Sequence, residues 1–338
     1  KGGMLEPVHS WFRLTPSYSP ELVRFFLDYL ECKPKHRVLD PFNGKGTTII
    51  ECQKLNFSSM AVEINPLLYY VTEKALHWDY DITLLEKTLK KLQKDFEKIR
   101  SESKELSIEE FEKKYKVSIP KIHNPFRWWK KDVLKELMII KHLVRKLDFE
   151  IVAPFEIVTT VVSLDCANIH RNHPTISFDD NHNRKIQVWF EFETKFNSVI
   201  NDIKKVKPLS KNAQAKVVLG DSTEIEKYVG RKKFDRVITS PPYPNRFSYI
   251  HTTRPQLFFM EIIEDANEAT EVDLKAIGGT WGRATSVLEK EFLKPNDGIE
   301  DYLTYINDLL PKSLLMCNYA TKYFNMMHDH VKSLKKVV

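Results

Sequence analysis

The stretch Arg37-Val38-Leu39-Asp40-Pro41-Phe42-Asn43-Gly44-Lys45-Gly46-Thr47-Thr48-Ile49-Ile50 reads as a strand, a glycine turn and the start of a helix. Proline lacks the N–H that a ladder needs, so Pro41 ends the strand. Gly44 and Gly46 permit positive φ and close backbone approach, and Thr47 or Thr48 is placed to cap the helix that follows. A ligand seated in such a turn meets exposed backbone amides. The phosphate-loop reading fails on spacing, because Gly46 separates Lys45 from Thr47 and the further upstream glycine is missing. A nucleoside suits this turn better than a triphosphate.

Three further segments repeat the pattern of a strand followed by chemistry. Ala61-Val62-Glu63 is a short apolar run ending in an acid, at the distance where doubly wound folds set a carboxylate on a ribose diol. Val218-Leu219-Gly220-Asp221-Ser222 carries another acid, although Asp221 alone reads slightly better as the cap of a helix beginning at Ser222. Lys233-Phe234-Asp235-Arg236-Val237-Ile238 runs into Thr239-Ser240-Pro241-Pro242-Tyr243, where the two prolines force a rigid turn with outward carbonyls and an aromatic ring. That turn suits a planar exocyclic amine, whose lone pair is delocalised into its ring. The amine becomes nucleophilic when acceptors such as Ser240 Oγ and the Pro241 carbonyl draw its hydrogens toward tetrahedral geometry, while Tyr243 stacks on the ring. All four segments end where open α/β sheets bind ligands, and it is their joint occurrence that carries the inference.

Together these segments resemble the amino-methyltransferases of DNA, which use S-adenosylmethionine and carry an Asp-Pro-Phe-x-Gly-x-Gly-Thr loop and a Ser/Asn/Asp-Pro-Pro-Tyr loop. The serine form is most similar to the N4-cytosine enzymes. The resemblance implies an α/β, Rossmann-like methyltransferase sheet. It implies that Asp40, Pro41, Phe42, Gly44, Gly46 and Thr47 form the cofactor loop, that Glu63 holds the ribose hydroxyls and that Asp221 meets the adenine amine. Ser17-Tyr18-Ser19-Pro20 is similar to the leading motif that closes over the methionine carboxylate, so Ser17 and Tyr18 join the cofactor set. Ser240, Pro241, Pro242 and Tyr243 become the catalytic turn, acting on a base flipped out of double-stranded DNA. Adenine N6, RNA or protein amine acceptors, and a non-catalytic nucleic-acid-binding subunit, remain alternatives. The match is confined to about residues 9–75 and 215–260.

The remaining features bound this reading without selecting it. The net charge of +6 suits a polyanionic partner. Cys32, Cys52, Cys166 and Cys317 are scattered without a Cys-x-x-Cys pair, which points away from disulfides and zinc and toward a reducing, cytoplasmic setting. No apolar run approaches the length of about 18 residues needed to cross a membrane. His170 and His173 lack a ligand cluster, and the chemistry needs no metal.

The expected organisation is a cofactor-binding part over 1–75, a mainly helical insertion over 76–210 and a catalytic part over 211–338. Leu84, Leu85, Leu89, Leu92 and Phe96 recur at helical spacing, Ser107-Ile108-Glu109-Glu110 signals a helix start, and Trp128 to Leu147 reads as another helix. Pro120, Pro125, Pro154 and Pro174 punctuate this region. Arg127-Trp128-Trp129 reads as core packing ahead of nucleic-acid stacking. Nucleic-acid contacts are expected from His170, Arg171, Arg246 and Arg254, and a loop at the active face from Ile277 to Arg283. Residues 300–335 read as a helix interrupted near Pro311. Strands are expected near Val38, Val62, Val217 and Val237; the resemblance calls for more, so a second polypeptide or a missing C-terminal segment is expected to complete the sheet.

Overall fold

The computed structural model describes residues 5–170, 176–179, 184–209, 214–230, 233–279, 283–290, 293–301, 304, 308 and 313–338. Arg171, His173, Pro174, Thr280, Trp281, Gly282 and Pro311 lie outside the described residues.

The strands β1 (Arg37–Asp40), β2 (Ser58–Glu63), β3 (Ala215–Leu219) and β4 (Arg236–Val237) form one parallel sheet in the order β3-β2-β1-β4. Leu39 sits in register with Met60 on one side and Val237 on the other, and Val62 with Val218. The chain moves outward from β1 through β2 to β3, then returns to β4 on the far side of β1. The strand order therefore reverses between β1 and β4, which opens a crevice at their carboxyl ends. The glycine turn leaves β1 on one lip of that crevice, and the Ser-Pro-Pro-Tyr turn leaves β4 on the other. β4 pairs through two residues, Arg236 with Val38 and Val237 with Leu39, and Ile238 N adds a bond to Leu39 O before the proline turn.

Helices flank the sheet: α1 (Pro20–Tyr29), α2 (Thr47–Lys54) and α3 (Pro66–Ala75). Ser19 Oγ accepts from Leu22 N and Pro20 takes the first helical position of α1, while Asn65 Oδ1 accepts from Leu67 N to start α3. Neither Thr47 nor Thr48 caps α2. Gly46 occupies the cap in a left-handed conformation at φ 85°, leaving the first amides of α2 without a side-chain partner.

The helical segment comprises α4 (Ile82–Glu102), α5 (Ile108–Tyr115), α6 (Pro125–Trp128), α7 (Lys131–Val144), α8 (Phe149–Asp165) and α9 (Val188–Val206). The Ser107–Glu110 capping box is formed in both directions. The stretch from Trp128 to Leu147 divides into α6 and α7, with Trp128 and Trp129 buried in the core. Pro154 does not punctuate; it lies buried inside α8. Beyond β3 come α10 (Ile225–Val229), α11 (Tyr249–Phe259), α12 (Ala266–Lys275), α13 (Arg283–Leu288) and α14 (Leu314–Leu334).

Pro255 likewise sits inside α11, at a helix cost of about 3 kcal/mol. Leu257, Phe258 and Phe259, each buried, offset that cost, since burying one such side chain stabilises by about 1.5–3 kcal/mol. One hydrophobic cluster runs from Val8 and Trp11 through Ile50 and Leu67, across the whole helical segment, to Phe259 and Ile263. Polar ties follow the same route. Asp202 Oδ2 on α9 accepts from Ser10 Oγ at 3.0 Å and Trp11 Nε1 at 3.1 Å, and Gln256 Nε2 on α11 donates to Thr160 O on α8 at 3.1 Å.

Among the described residues no helix is long and apolar enough to cross a membrane, and no group of three or more His, Cys, Asp or Glu could hold a metal ion.

Candidate active site

The two lips of the crevice are joined at their base by Asp40. Its Oδ1 accepts from Phe42 N at 3.1 Å and from Thr239 Oγ1 at 2.6 Å, and its Oδ2 from Tyr18 OH at 3.0 Å. Tyr18 also hydrogen-bonds Thr48, whose hydroxyl donates to Ile238 O at 3.2 Å. The leading motif, the glycine turn and the end of β4 thus converge on one carboxylate. Asp40 is fully buried, and burial pushes its carboxyl above the ordinary range against the pull of these donors.

Above this base lies a cleft of about 970 Å³ including its mouth. Ser17, Tyr18, Pro41, Phe42, Gly44, Thr47, Glu63, Asp221, Ser240, Pro241, Pro242 and Tyr243 all line it. Asp40 and Gly46 do not reach its wall; Asp40 organises the wall from behind, and Gly46 shapes the turn. A Cβ on Gly46 would come within 2.7 Å of Thr72 Cγ2, so glycine is required there by space as well as by φ.

Glu63 closes the floor beside the glycine turn. Oε2 accepts from Gly44 N at 2.7 Å and Oε1 from Asn65 N at 2.8 Å. Burial is the largest influence on its carboxyl and pushes it up to about 8, outweighing the two amide donors. Each oxygen retains a second acceptor site for a ligand hydroxyl. Asn43 on the same wall donates to Gly44 O and Thr72 Oγ1, while its buried Oδ1 has no donor among the described residues. Asp221 caps the turn that begins at Ser222, where Oδ1 accepts from Thr223 N and Thr223 Oγ1, each at 2.8 Å, and the residue also lines the cleft.

The Ser-Pro-Pro-Tyr turn is braced from the C-terminal helix. Tyr323 OH on α14 donates to Pro242 O at 2.8 Å, and Tyr319 OH accepts from Arg246 N at 2.9 Å. His330 packs its ring 4.7 Å from Phe42 and bonds Ser222 O through Nδ1. Ser240 is half-buried, and its hydroxyl has no hydrogen-bond partner among the described residues. Tyr243 is 50% exposed, with its ring at the mouth. Ala276 and Ile277 close the remaining side, with Gly278 and Gly279 also buried.

The expected nucleic-acid contacts are not on this wall. Arg246 has φ 60° and points its guanidinium at Met316 Sδ, 3.9 Å away. Arg254 lines a second cavity across α11. His170 is exposed beside the short bridge between Ile169 and Phe178, and Arg171 lies outside the described residues. Sequence reasoning placed Asn43 in the glycine turn without a role of its own and expected Ile277 in a loop at the active face; it did not single out Tyr249, Ala276, Tyr319, Tyr323 or His330. These five carry no motif, and the packing of the C-terminal helices against the turns brings them to the site.

No family model and no solved structure matches the chain. It is 22% identical over 289 residues to the type II methyltransferase M.BsoBI of Geobacillus stearothermophilus, covering 77% of this chain and 54% of that protein. It is also 29% identical over 119 residues to the type II methyltransferase M.MjaII of Methanocaldococcus jannaschii, covering 35% of this chain and 22% of that protein. The chain therefore spans about half the length of the first relative and less of the second. The crevice at the strand reversal and the two turns that meet across it make an α/β, Rossmann-like methyltransferase fold, and the chain is similar to two type II methyltransferases.

Proposed function

We propose that this protein transfers a methyl group from S-adenosylmethionine to the exocyclic amine of a base flipped out of double-stranded DNA, with cytosine N4 as the acceptor. The observation that carries the reading is the shared cleft: Ser240, with a hydroxyl unpartnered among the described residues, opens onto the same space as Gly44, Glu63 and Asn43.

The residues present fit the cofactor. Buried Asn43 Oδ1 lacks a donor among the described residues, Glu63 has acceptor sites left for a diol, Phe42 offers an apolar face, and Asp221 suits an amine. Ser17 and Tyr18 belong to the segment beside the glycine turn. When bound, S-adenosylmethionine supplies an electrophilic methyl on a positive sulfur.

The chain's own groups then position the acceptor. Ser240 Oγ and the Pro241 carbonyl accept hydrogen bonds from the amine's two hydrogens, which directs the nitrogen lone pair out of the ring plane, and the one proton that the methylated nitrogen sheds passes to solvent. Tyr243 stacks on the base, and Tyr323 holds the turn rigid through Pro242 O. Holding reactants in a near-attack arrangement away from water supplies most of the acceleration expected here, with no covalent enzyme intermediate. Ile277 and Tyr249 help exclude water from the cleft. The serine in the catalytic turn supports cytosine N4 over adenine N6.

Incubating the protein with isotopically labelled cofactor and mixed-sequence duplex DNA, followed by nucleoside mass spectrometry, tests this. N4-methylcytosine carrying the label is the expected product. Label on adenine N6, on RNA or on protein would replace the acceptor, and failure to bind the cofactor in calorimetry would overturn the reading.

A further inference from the structure

A second cavity, about 1020 Å³ including its mouth, borders α11. Tyr249 lines the methyl-transfer cleft, His251, Arg254 and Phe258 line this one, and Ile250 borders both. The two hollows are therefore neighbours separated by one turn of helix.

Arg254 gives the second cavity its character. It is half-buried, its guanidinium carbon lies 5.3 Å from the centre of the buried Trp128 ring, and no hydrogen bond or ion pair holds it among the described residues. Its Nε is buried without a partner. Burial alone lowers its pKa, with no carboxylate acting against it, and the same burial, with Arg254 second, holds His251 down to about 4 and hence neutral. Asp273, also on the wall, accepts from Ser248 Oγ at 2.6 Å.

A desolvated guanidinium without an anion is costly unless a ligand supplies acceptors. A flat aromatic support fixes its plane and presents its donors edge-on. Ile122, Phe178 and Phe258 give the wall its apolar part, Asn124, Ser248, Thr270 and Asp273 its polar part, and the cations Lys121 and Arg127 are exposed, Arg127 over the Phe178 ring at 4.0 Å. A lone phosphate needs no apolar wall of this size, whereas a nucleotide uses both parts: its base inside and its phosphate at the rim. Paired acceptors on one edge, O6 and N7, are the mark of guanine, the commonest partner of a forked arginine.

We propose that this cavity is a second base site, resting on the DNA methyl-transfer reading: it receives a guanine of the bound strand, read by Arg254 on its Trp128 support, with Lys121 and Arg127 meeting the backbone. The cavity thus contributes sequence choice from a place adjoining the reacting base.

The test reads binding without methyl transfer. Fluorescence anisotropy compares a single-stranded oligonucleotide of nine thymidines with one whose central residue is dG. The wild-type protein is expected to prefer the dG strand by roughly tenfold, the scale of one paired arginine–guanine contact. Arg254→Met should abolish that preference while leaving the thymidine strand within about twofold. Arg254→Lys, which keeps the charge and loses the fork, should abolish it as well and keep the salt slope. Lys121→Ala should weaken both strands equally and flatten the slope of log affinity against log salt by about 0.7.

No dG preference in the wild type overturns the proposal, and so does a preference that survives Arg254→Met. Equal weakening of both strands by Arg254→Met, with a flatter salt slope, also overturns it and makes Arg254 a phosphate contact. Thermal unfolding checks each variant; if Arg254→Met does not fold, the wild type and Arg254→Lys still decide. Calorimetry with S-adenosylmethionine keeps the two readings apart. A dG preference without cofactor binding sinks methyl transfer and leaves the cavity, whereas cofactor binding without the preference does the reverse.

Discussion

The Thr239 hydroxyl donates to Asp40 Oδ1 at 2.6 Å, and this bond fixes the turn after β4 to the turn after β1 across the crevice of the sheet. Asp40 is fully buried, so losing this donor leaves Oδ1 in the interior with Phe42 N alone. Thr239→Val is expected to destabilise the fold by about 1–3 kcal/mol, seen as a lower urea midpoint with an unchanged slope. It should also lower turnover more than cofactor affinity, because it loosens the catalytic turn relative to a cofactor loop still held by Phe42 N.

Glu63 makes stability depend on pH in a defined direction. Its folded carboxyl is raised from the ordinary 4.5 to about 8, so between those values the folded protein holds a proton that the unfolded chain has released. Stability is then greatest below about pH 4.5 as far as this group is concerned and falls as pH rises to about 8, by at most about 1.4 kcal/mol per pH unit. Glu63→Gln should flatten this decline in urea unfolding curves at pH 5.5, 7 and 8.5. A ribose diol that donates to Glu63 prefers the ionised carboxylate, so cofactor affinity should rise over the same interval and binding should release protons, measurable by calorimetry in buffers of different ionisation heat.

The catalytic turn separates by side chain. Ser240→Ala is expected to cut turnover about 100-fold or more, the scale of one positioned polar group, with cofactor binding retained. Tyr243→Ala removes a stacking platform worth about 1–3 kcal/mol per base and should lower kcat/KM accordingly. Tyr243→Phe should be close to wild type, since the phenol has no hydrogen-bond partner among the described residues. Loss of cofactor binding in Ser240→Ala would mark the serine as structural.

The two glycines of the cofactor turn should respond unequally. Gly46 combines φ 85° with a 2.7 Å clash for any Cβ, whereas a Cβ on Gly44, at φ 56°, would meet Leu14 at 3.7 Å. Gly46→Ala is expected to cost about 2–4 kcal/mol and Gly44→Ala about 1 kcal/mol, compared by thermal unfolding. Equal losses would show that the Thr72 side chain moves aside at no cost.

Much of this site was legible because its four motifs each end a strand and carry their own chemistry. Parallel pairing alone aligns Asp221, Glu63, the glycine turn and Ser240 along one edge of the sheet. The role of Asp40 was not legible, since a carboxylate in a ligand loop reads as a ligand contact until Thr239 and Tyr18 are seen to share it. Thr47 and Thr48 read as caps because the sequence permits positive φ at Gly46 without showing that Gly46 itself takes the cap position. Pro154 reads as a break, yet the apolar residues around it bury enough surface to keep α8 continuous. α8 is apolar on nearly every side, so it has no stripe for periodicity to detect. The bracing by Tyr319, Tyr323 and His330 depends on how α14 lies, which no local pattern states.

Asp202 offers a direct measure of how firmly the N-terminal segment is held. Asp202→Ala removes the acceptor for Ser10 and Trp11 and should destabilise the whole domain by about 2–4 kcal/mol in one cooperative transition. A separate early melting of residues near Trp11, followed by its fluorescence, would count against that coupling.

The hydrophobic cluster that runs unbroken from Trp11 through α4–α9 to Phe259 limits what can be exchanged in this protein. Any foreign segment transplanted between Ala75 and Ala215 would have to rebuild half the wall against which α2, α3 and α11 rest. Under the proposed activity, altered target choice is therefore to be sought in point changes on the rim of the two hollows, because a portable cassette cannot be lifted out of a core that the helices beside both of them share.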